Sequence, residues 1–140
     1  MDKFWFKTNL FDIEANEDEE TNPGIYGKQF AHWLSEQLTL IGYSETECFS
    51  EDWGWCIIIF RKPFMLLVGC SSVYGFDNVK KGDSPPSKDE VVWSCSVMTK
   101  LPVFKNPFKK KIQLQQKKKL CREIQGILAQ EPQIQFVDEP

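Results

Sequence analysis

The sequence predicts an α+β fold: one mostly antiparallel sheet with two helices packed on one face. Three observations predict it. Apolar residues recur at three-and-four spacing near residues 26–41 and again near 120–128, the period of a helix with one buried side. Between these stretches lie short runs rich in Ile, Val, Phe and Cys, bounded by turn residues, the pattern of strands. Both helical stretches follow the same Asn-Pro signal, Asn22-Pro23 and Asn106-Pro107, a cap residue before a proline at the first helical position. Strand runs bracketed by helices favour helices gathered on one side of a sheet, in the chain order β-α-β-β-β-β-α-β.

Phe4 to Phe11 reads as a first, aromatic strand. Asp12 to Glu20 places six carboxylates in nine residues, and this predicts a solvated, mobile loop. A helix is expected from Pro23 or Tyr26 to Ile41, with Tyr26, Phe30, Trp33, Leu34, Gln37, Leu38 and Ile41 on its buried stripe. Gly42 suits its left-handed stop. Tyr43–Phe49 predicts a short strand. Trp53–Arg61 and Phe64–Cys70, joined by Arg61-Lys62-Pro63, predict an antiparallel hairpin with the second strand central. Tyr74 to Ser87 reads as a loop. In Val91–Thr99, alternation puts Val91, Trp93, Cys95 and Val97 on one face. The second helix runs from Phe108 or Ile112 to Gln130 and buries Leu120, Ile124, Ile127 and Leu128. Pro132 stops it, and Ile134–Val137 is a last short strand.

At 140 residues, the chain suits a single domain, 1–140, able to bury a core unaided. Five cysteines without a C-x-x-C pair argue against a zinc ribbon and for reduced thiols in a cytoplasmic setting. The opening residues carry no charged-then-apolar leader, and no apolar run reaches the length of a membrane span. Charge is uneven: residues 1–70 carry 12 acidic and 5 basic side chains, residues 71–140 carry 8 and 12. Net acidity favours a basic protein partner over nucleic acid.

Glu51-Asp52-Trp53-Gly54-Trp55 is the densest group of chemistry-bearing residues. Two indoles and two carboxylates suit a binding edge. The competing role is architectural: alternation puts Trp53 and Trp55 on the same side of a strand, where they fill the core. The same alternation separates Glu51 from Asp52, so a paired acid–base site is disfavoured. Asp18, Glu19 and Glu20 offer an electrostatic docking surface, or simply solubility; their spacing does not fit a calcium loop. The lysines at 105, 109–111 and 117–119 lack any base-reading element beside them and read as a solvated helix face. His32 is the only histidine, so a histidine metal cluster is excluded, and Cys70 lies outside any nucleophile-elbow pattern. No metal, cofactor or catalytic set is expected.

Asn22-Pro23-Gly24-Ile25-Tyr26-Gly27, Trp33-Leu34, Gly42-Tyr43, Glu51-Asp52-Trp53-Gly54-Trp55 and Gly69-Cys70 together resemble a group of small uncharacterised bacterial proteins with a PG-x-YG…WL…G…EDWGW…GC pattern. The resemblance covers residues 20–75 and brings no activity with it. It implies that the Asn22–Gly27 and Trp53–Trp55 segments share one region of space. In size, acidity and aromatic content the chain is similar to bacterial toxin-immunity proteins, a likeness of class rather than motif.

The expectation is a non-enzymatic, cytoplasmic protein-binding module of immunity type. Its candidate contacts are Glu51, Asp52, Trp53, Trp55, Tyr74, Asp18, Glu19 and Glu20, and its partner a protein, such as a basic toxin domain. No membrane partner is expected, and a homodimer is compatible. The alternative is a small enzyme or ligand-binding domain with a pocket between sheet and helices, drawing on Glu51, Asp52, His32 and Cys70.

Overall fold

A computed structural model describes residues 2–73, 84–100 and 105–140. Its strands are β1 (Lys3–Thr8), β2 (Glu47–Glu51), β3 (Gly54–Phe60), β4 (Met65–Val73), β5 (Val92–Lys100) and β6 (Ile134–Phe136). Its helices are α1 (Lys28–Leu40) and α2 (Pro107–Gln130), with 3-10 turns at Glu17–Glu19 and Lys88–Glu90. The strands form one sheet in the order β2-β3-β4-β5-β1-β6, and every neighbouring pair is antiparallel. The α+β class and the chain order of major elements match the sequence reading. The first strand sits between the fifth and the last, a placement that alternation alone does not reveal.

Both helices lie on one face. Phe30, Ala31, Leu34 and Leu38 of α1 join Leu120, Cys121, Ile124 and Leu128 of α2 against Phe4, Phe6, Trp55, Ile57, Val68, Cys70, Trp93 and Cys95 of the sheet. Aromatic edges fill the gap beneath α1: Phe30 meets Phe6 edge-on at 5.1 Å and stacks on Phe11 at 5.3 Å. The helix-free face carries a smaller cluster, Cys56, Ile58 and Leu67, flanked by Phe49, Met65 and Met98. Met65–Lys100 through Val73–Val92 pair in unbroken register at the sheet centre.

The two Asn-Pro signals part company. Asn106 caps α2 as expected, its Oδ1 accepting from the amides of Phe108 (2.8 Å) and Lys109 (3.3 Å). Asn22-Pro23 does not start α1, which begins at Lys28 after Gly27. The Asn22 side chain is drawn away: its Nδ2 donates to the Asp52 carbonyl at 2.9 Å. A distant residue does the capping. Glu17 Oε2 accepts from the amides of Gly27 (2.8 Å) and Lys28 (3.2 Å), and Oε1 from Glu14 (3.2 Å). A carboxylate at a helix N-terminus satisfies orphan donors and meets the positive end of the helix dipole.

The 12–20 segment is therefore only partly the solvated loop expected. Glu17 is 4% exposed, and Asp12 and Glu14 pair with Lys88 and Lys28. Asp18 Oδ2 accepts from the Gly24 amide at 3.0 Å. The helix-closing role of Gly42 is kept, at φ +114°.

Candidate functional site

β2 and β3 form a hairpin in which Glu51 pairs with Gly54, leaving Asp52 and Trp53 as its two-residue tip. This overturns the expected alignment of the indoles. Alternation holds inside a strand, but Trp53 lies in the turn. Trp55 is 6% exposed on the helix-covered face. Its ring lies 6.0 Å from that of His32, with Lys28 Nζ 5.8 Å from its centroid. Trp53 is 40% exposed and lies over the helix-free face. A methyl group placed on Gly69 would stand 2.9 Å from the Trp53 ring. Trp55 is thus core, and the proposed contact surface at this hairpin reduces to Glu51, Asp52 and Trp53.

The tip is held by neighbours on three segments. Ser71 Oγ donates to the Trp53 carbonyl at 2.8 Å, and Asn22 holds the Asp52 carbonyl. Ser72 Oγ, buried, accepts from the Tyr26 amide at 3.0 Å. The Cys70 carbonyl lies between two glycines: a β-carbon on Gly27 or on Gly54 would come within 2.6 Å of it. Both glycines have positive φ, +156° and +148°. A side chain at either position would push β3 or the start of α1 off β4. Residues 22–27, 52–55 and 69–72 therefore meet in one region.

This packing brings two of the candidate carboxylate residues, Asp18 and Asp52, to one region. The Gly24 amide ties Asp18 to the segment that Asn22 ties to Asp52. Asp18 and Glu19, with Thr21 and Pro23, line an open hollow of about 420 Å³. Glu19, Glu20 and Asp52 are exposed, while Asp18 and Glu51 are half-buried. The result is an acidic corner with an exposed indole at its edge. Tyr74 lies outside the described residues.

The residues proposed for the alternative do not converge on a reactive centre. Cys70 is fully buried and faces Cys95 across the β4–β5 ladder. Burial, then the hydrogen bond with Cys95, push its thiol well up, so it stays protonated and poorly nucleophilic. Cys56, on the other face, is pushed up to about 11, mainly by burial. His32 is exposed on α1, whereas Glu51 is the last residue of β2 and Asp52 lies in the turn that follows. Among the described residues, no three His, Cys, Asp or Glu side chains group as metal ligands, and no helix is long and apolar enough to cross a membrane.

Sequence reasoning missed Glu17, Gly27 and Ser72. The weak signal for Glu17 was that Gly27 has no side chain with which to cap α1, so the cap had to come from elsewhere. Gly54 stands out in the sequence as part of the Glu51–Trp55 group, but nothing there shows that it makes room for the Cys70 carbonyl. Comparison with protein-family models, curated proteins and solved structures finds no match to this chain.

Proposed function

We propose that this chain is a non-enzymatic binding module that docks a basic protein surface on its Trp53 corner. The observation that carries the reading is the Trp53 indole, exposed at a hairpin tip whose two carbonyls are pinned by Asn22 and Ser71. A fixed aromatic loses little side-chain entropy on binding. The carboxylates of Asp18, Glu19, Glu20, Glu51 and Asp52 steer a cationic partner toward it. The partner class we favour is a toxin domain in the cytoplasm, blocked by occlusion in the manner of an immunity protein. Support for that last step is the likeness of class and the acidic corner, which complements the cationic clefts of enzymes acting on nucleic acids.

The test is neutralisation. The product of the reading frame next to this gene is expressed with and without the chain, and growth is measured. Protection by the wild type and its loss in Asp52→Lys/Trp53→Ala, with unchanged folding by circular dichroism, is the expected result. A harmless neighbour, together with recovery of no protein from the native host at physiological salt, would count decisively against the reading.

A further inference from the structure

The Trp53 corner lies at one end of the sheet, and the opposite end has complementary character. β3 starts beside Cys70 at the Trp53 end and runs to the Arg61–Phe64 turn, about 20 Å away at strand rise. α1 starts just after Gly27, which lies against the Cys70 carbonyl, and descends toward that same far end: Ala31 meets Cys48, and Ser35 meets Thr46 just before β2. There the start of α2 meets the turn. Pro63, Phe64, Phe108 and Ile112, with Lys109, line an open groove of about 280 Å³. Phe108 is 69% exposed. Exposed cations neighbour the lining residues along the chain: Lys62 precedes Pro63, Lys110 and Lys111 follow Lys109, Lys105 lies just before α2, and Lys100 pairs with Met65 next to Phe64. Arg61, on the same turn, is held by Glu47 at 2.8 Å.

We propose that copies of this chain associate head to tail, the Trp53 corner of one against the Phe108–Ile112 groove of the next. This rests on the docking reading of the Trp53 corner and names a second copy as an occupant of it. Charge complementarity selects this pairing. An end-to-end twofold dimer would set carboxylates against carboxylates or lysines against lysines, which repel. Head-to-tail contact matches carboxylates to lysines and gives the indole an apolar groove to enter. Because the two surfaces lie at opposite ends, the contact does not close on itself and generates open chains. A basic partner at the Trp53 corner would compete for the same surface and cap the chain.

Sedimentation velocity of the full chain tests this. The average mass should rise with protein concentration, without a plateau at dimer, and fall as salt rises. A head variant, Asp52→Lys/Trp53→Ser, and a tail variant, Phe108→Ser/Lys110→Glu/Lys111→Glu, should each be monomeric. Loss of an indole anchor alone should weaken association by roughly thirtyfold. Mixed in equal amounts, the two variants should give a one-to-one heterodimer and nothing larger, since each retains the surface the other lacks. A wild type monomeric at every concentration, a dimer plateau, or a mixture that stays monomeric would overturn the proposal. A monomeric wild type that still needs Trp53 to bind a cationic partner would sink self-association alone. A head variant that assembles like wild type would overturn the head-to-tail contact and leave the docking reading to the neutralisation test.

Discussion

The 12–20 loop and the Glu51–Trp55 hairpin divide their residues in the same way. Each holds a set of like residues, indoles in the hairpin and carboxylates in the loop, that look equivalent in sequence. In each, one member turns inward and holds the fold while its neighbours stay outside. In the hairpin the inward member is Trp55, packed among core residues, and the outward one is Trp53. In the loop the inward member is Glu17, bonded to three amides, the outward ones are Glu19 and Glu20, and Asp18 is half-buried against the Gly24 amide. The means differ. The hairpin sorts its indoles by a change from turn to strand at Gly54. The loop sorts its carboxylates by a 3-10 turn that aims one of them at the start of α1. Similar residues a few positions apart thus take opposite roles, and substitution should separate them.

The widest separation is expected between the indoles. Trp55→Ala empties a core position and should cost about 3–5 kcal/mol. Trp53→Ala removes a ring already 40% exposed and should cost about 1 kcal/mol or less, as surface changes usually do. Urea unfolding of both variants measures the difference. Equal costs would mean that Trp53 is as much a part of the packing as Trp55, and the docking surface would lose its anchor.

The glycines that bracket these rings should separate next. At Gly54 an added β-carbon meets backbone, the Cys70 carbonyl at 2.6 Å, at a positive φ of +148°. Gly54→Ala should therefore cost about 2–3 kcal/mol. At Gly69 the neighbours are side-chain ends, Trp53 at 2.9 Å and Met98 at 3.1 Å, and these can move. Gly69→Ala should cost about 1 kcal/mol and shift the Trp53 emission to the red, read as the difference from a Trp53→Phe background. A Gly54→Ala chain as stable as wild type would show that the pinched Cys70 carbonyl relaxes freely.

These pairs also show how far the sequence could be read. The sheet, most of each helix face and the hairpin at Arg61–Phe64 were legible because each depends on a local period or a local turn; Ile41, expected on the buried stripe, lies just past α1 and is 47% exposed. Val91, Trp93, Cys95 and Val97 all lie inside, as alternation required. The start of α1 was not legible, because its cap comes from Glu17, eleven residues upstream of Lys28. Asn22 bears a cap residue's chemistry but spends it on the Asp52 carbonyl, and no local rule anticipates that competition. The candidate site was half legible. Its residue types stood out, yet the side each takes depended on where the turn ended and β3 began, a boundary one residue wide.

The smallest separation is between two glutamates of the same loop, and it appears only as a function of pH. Burial raises the Glu17 carboxyl above its ordinary 4.5, against the opposing pull of the Gly27, Lys28 and Glu14 amides. The folded chain then keeps this proton to higher pH than the unfolded chain does. The stability linked to Glu17 is complete below about pH 4.5 and is lost as pH rises through the raised value. Glu14 is exposed and held below 4.5, first by its bond with Lys28. Its contribution is complete above about pH 4.5 and is lost as pH falls through the lowered value, and it is small because water screens the pair. Urea midpoints across pH should therefore respond in opposite ways. Glu17→Gln should flatten the loss of stability on the alkaline side of 4.5, although it also costs stability by placing an amide group against the Glu14 N–H. Glu14→Gln should flatten the loss on the acid side. If Glu17→Gln leaves the alkaline slope unchanged, the three amides outweigh burial and Glu17 caps α1 as a carboxylate throughout.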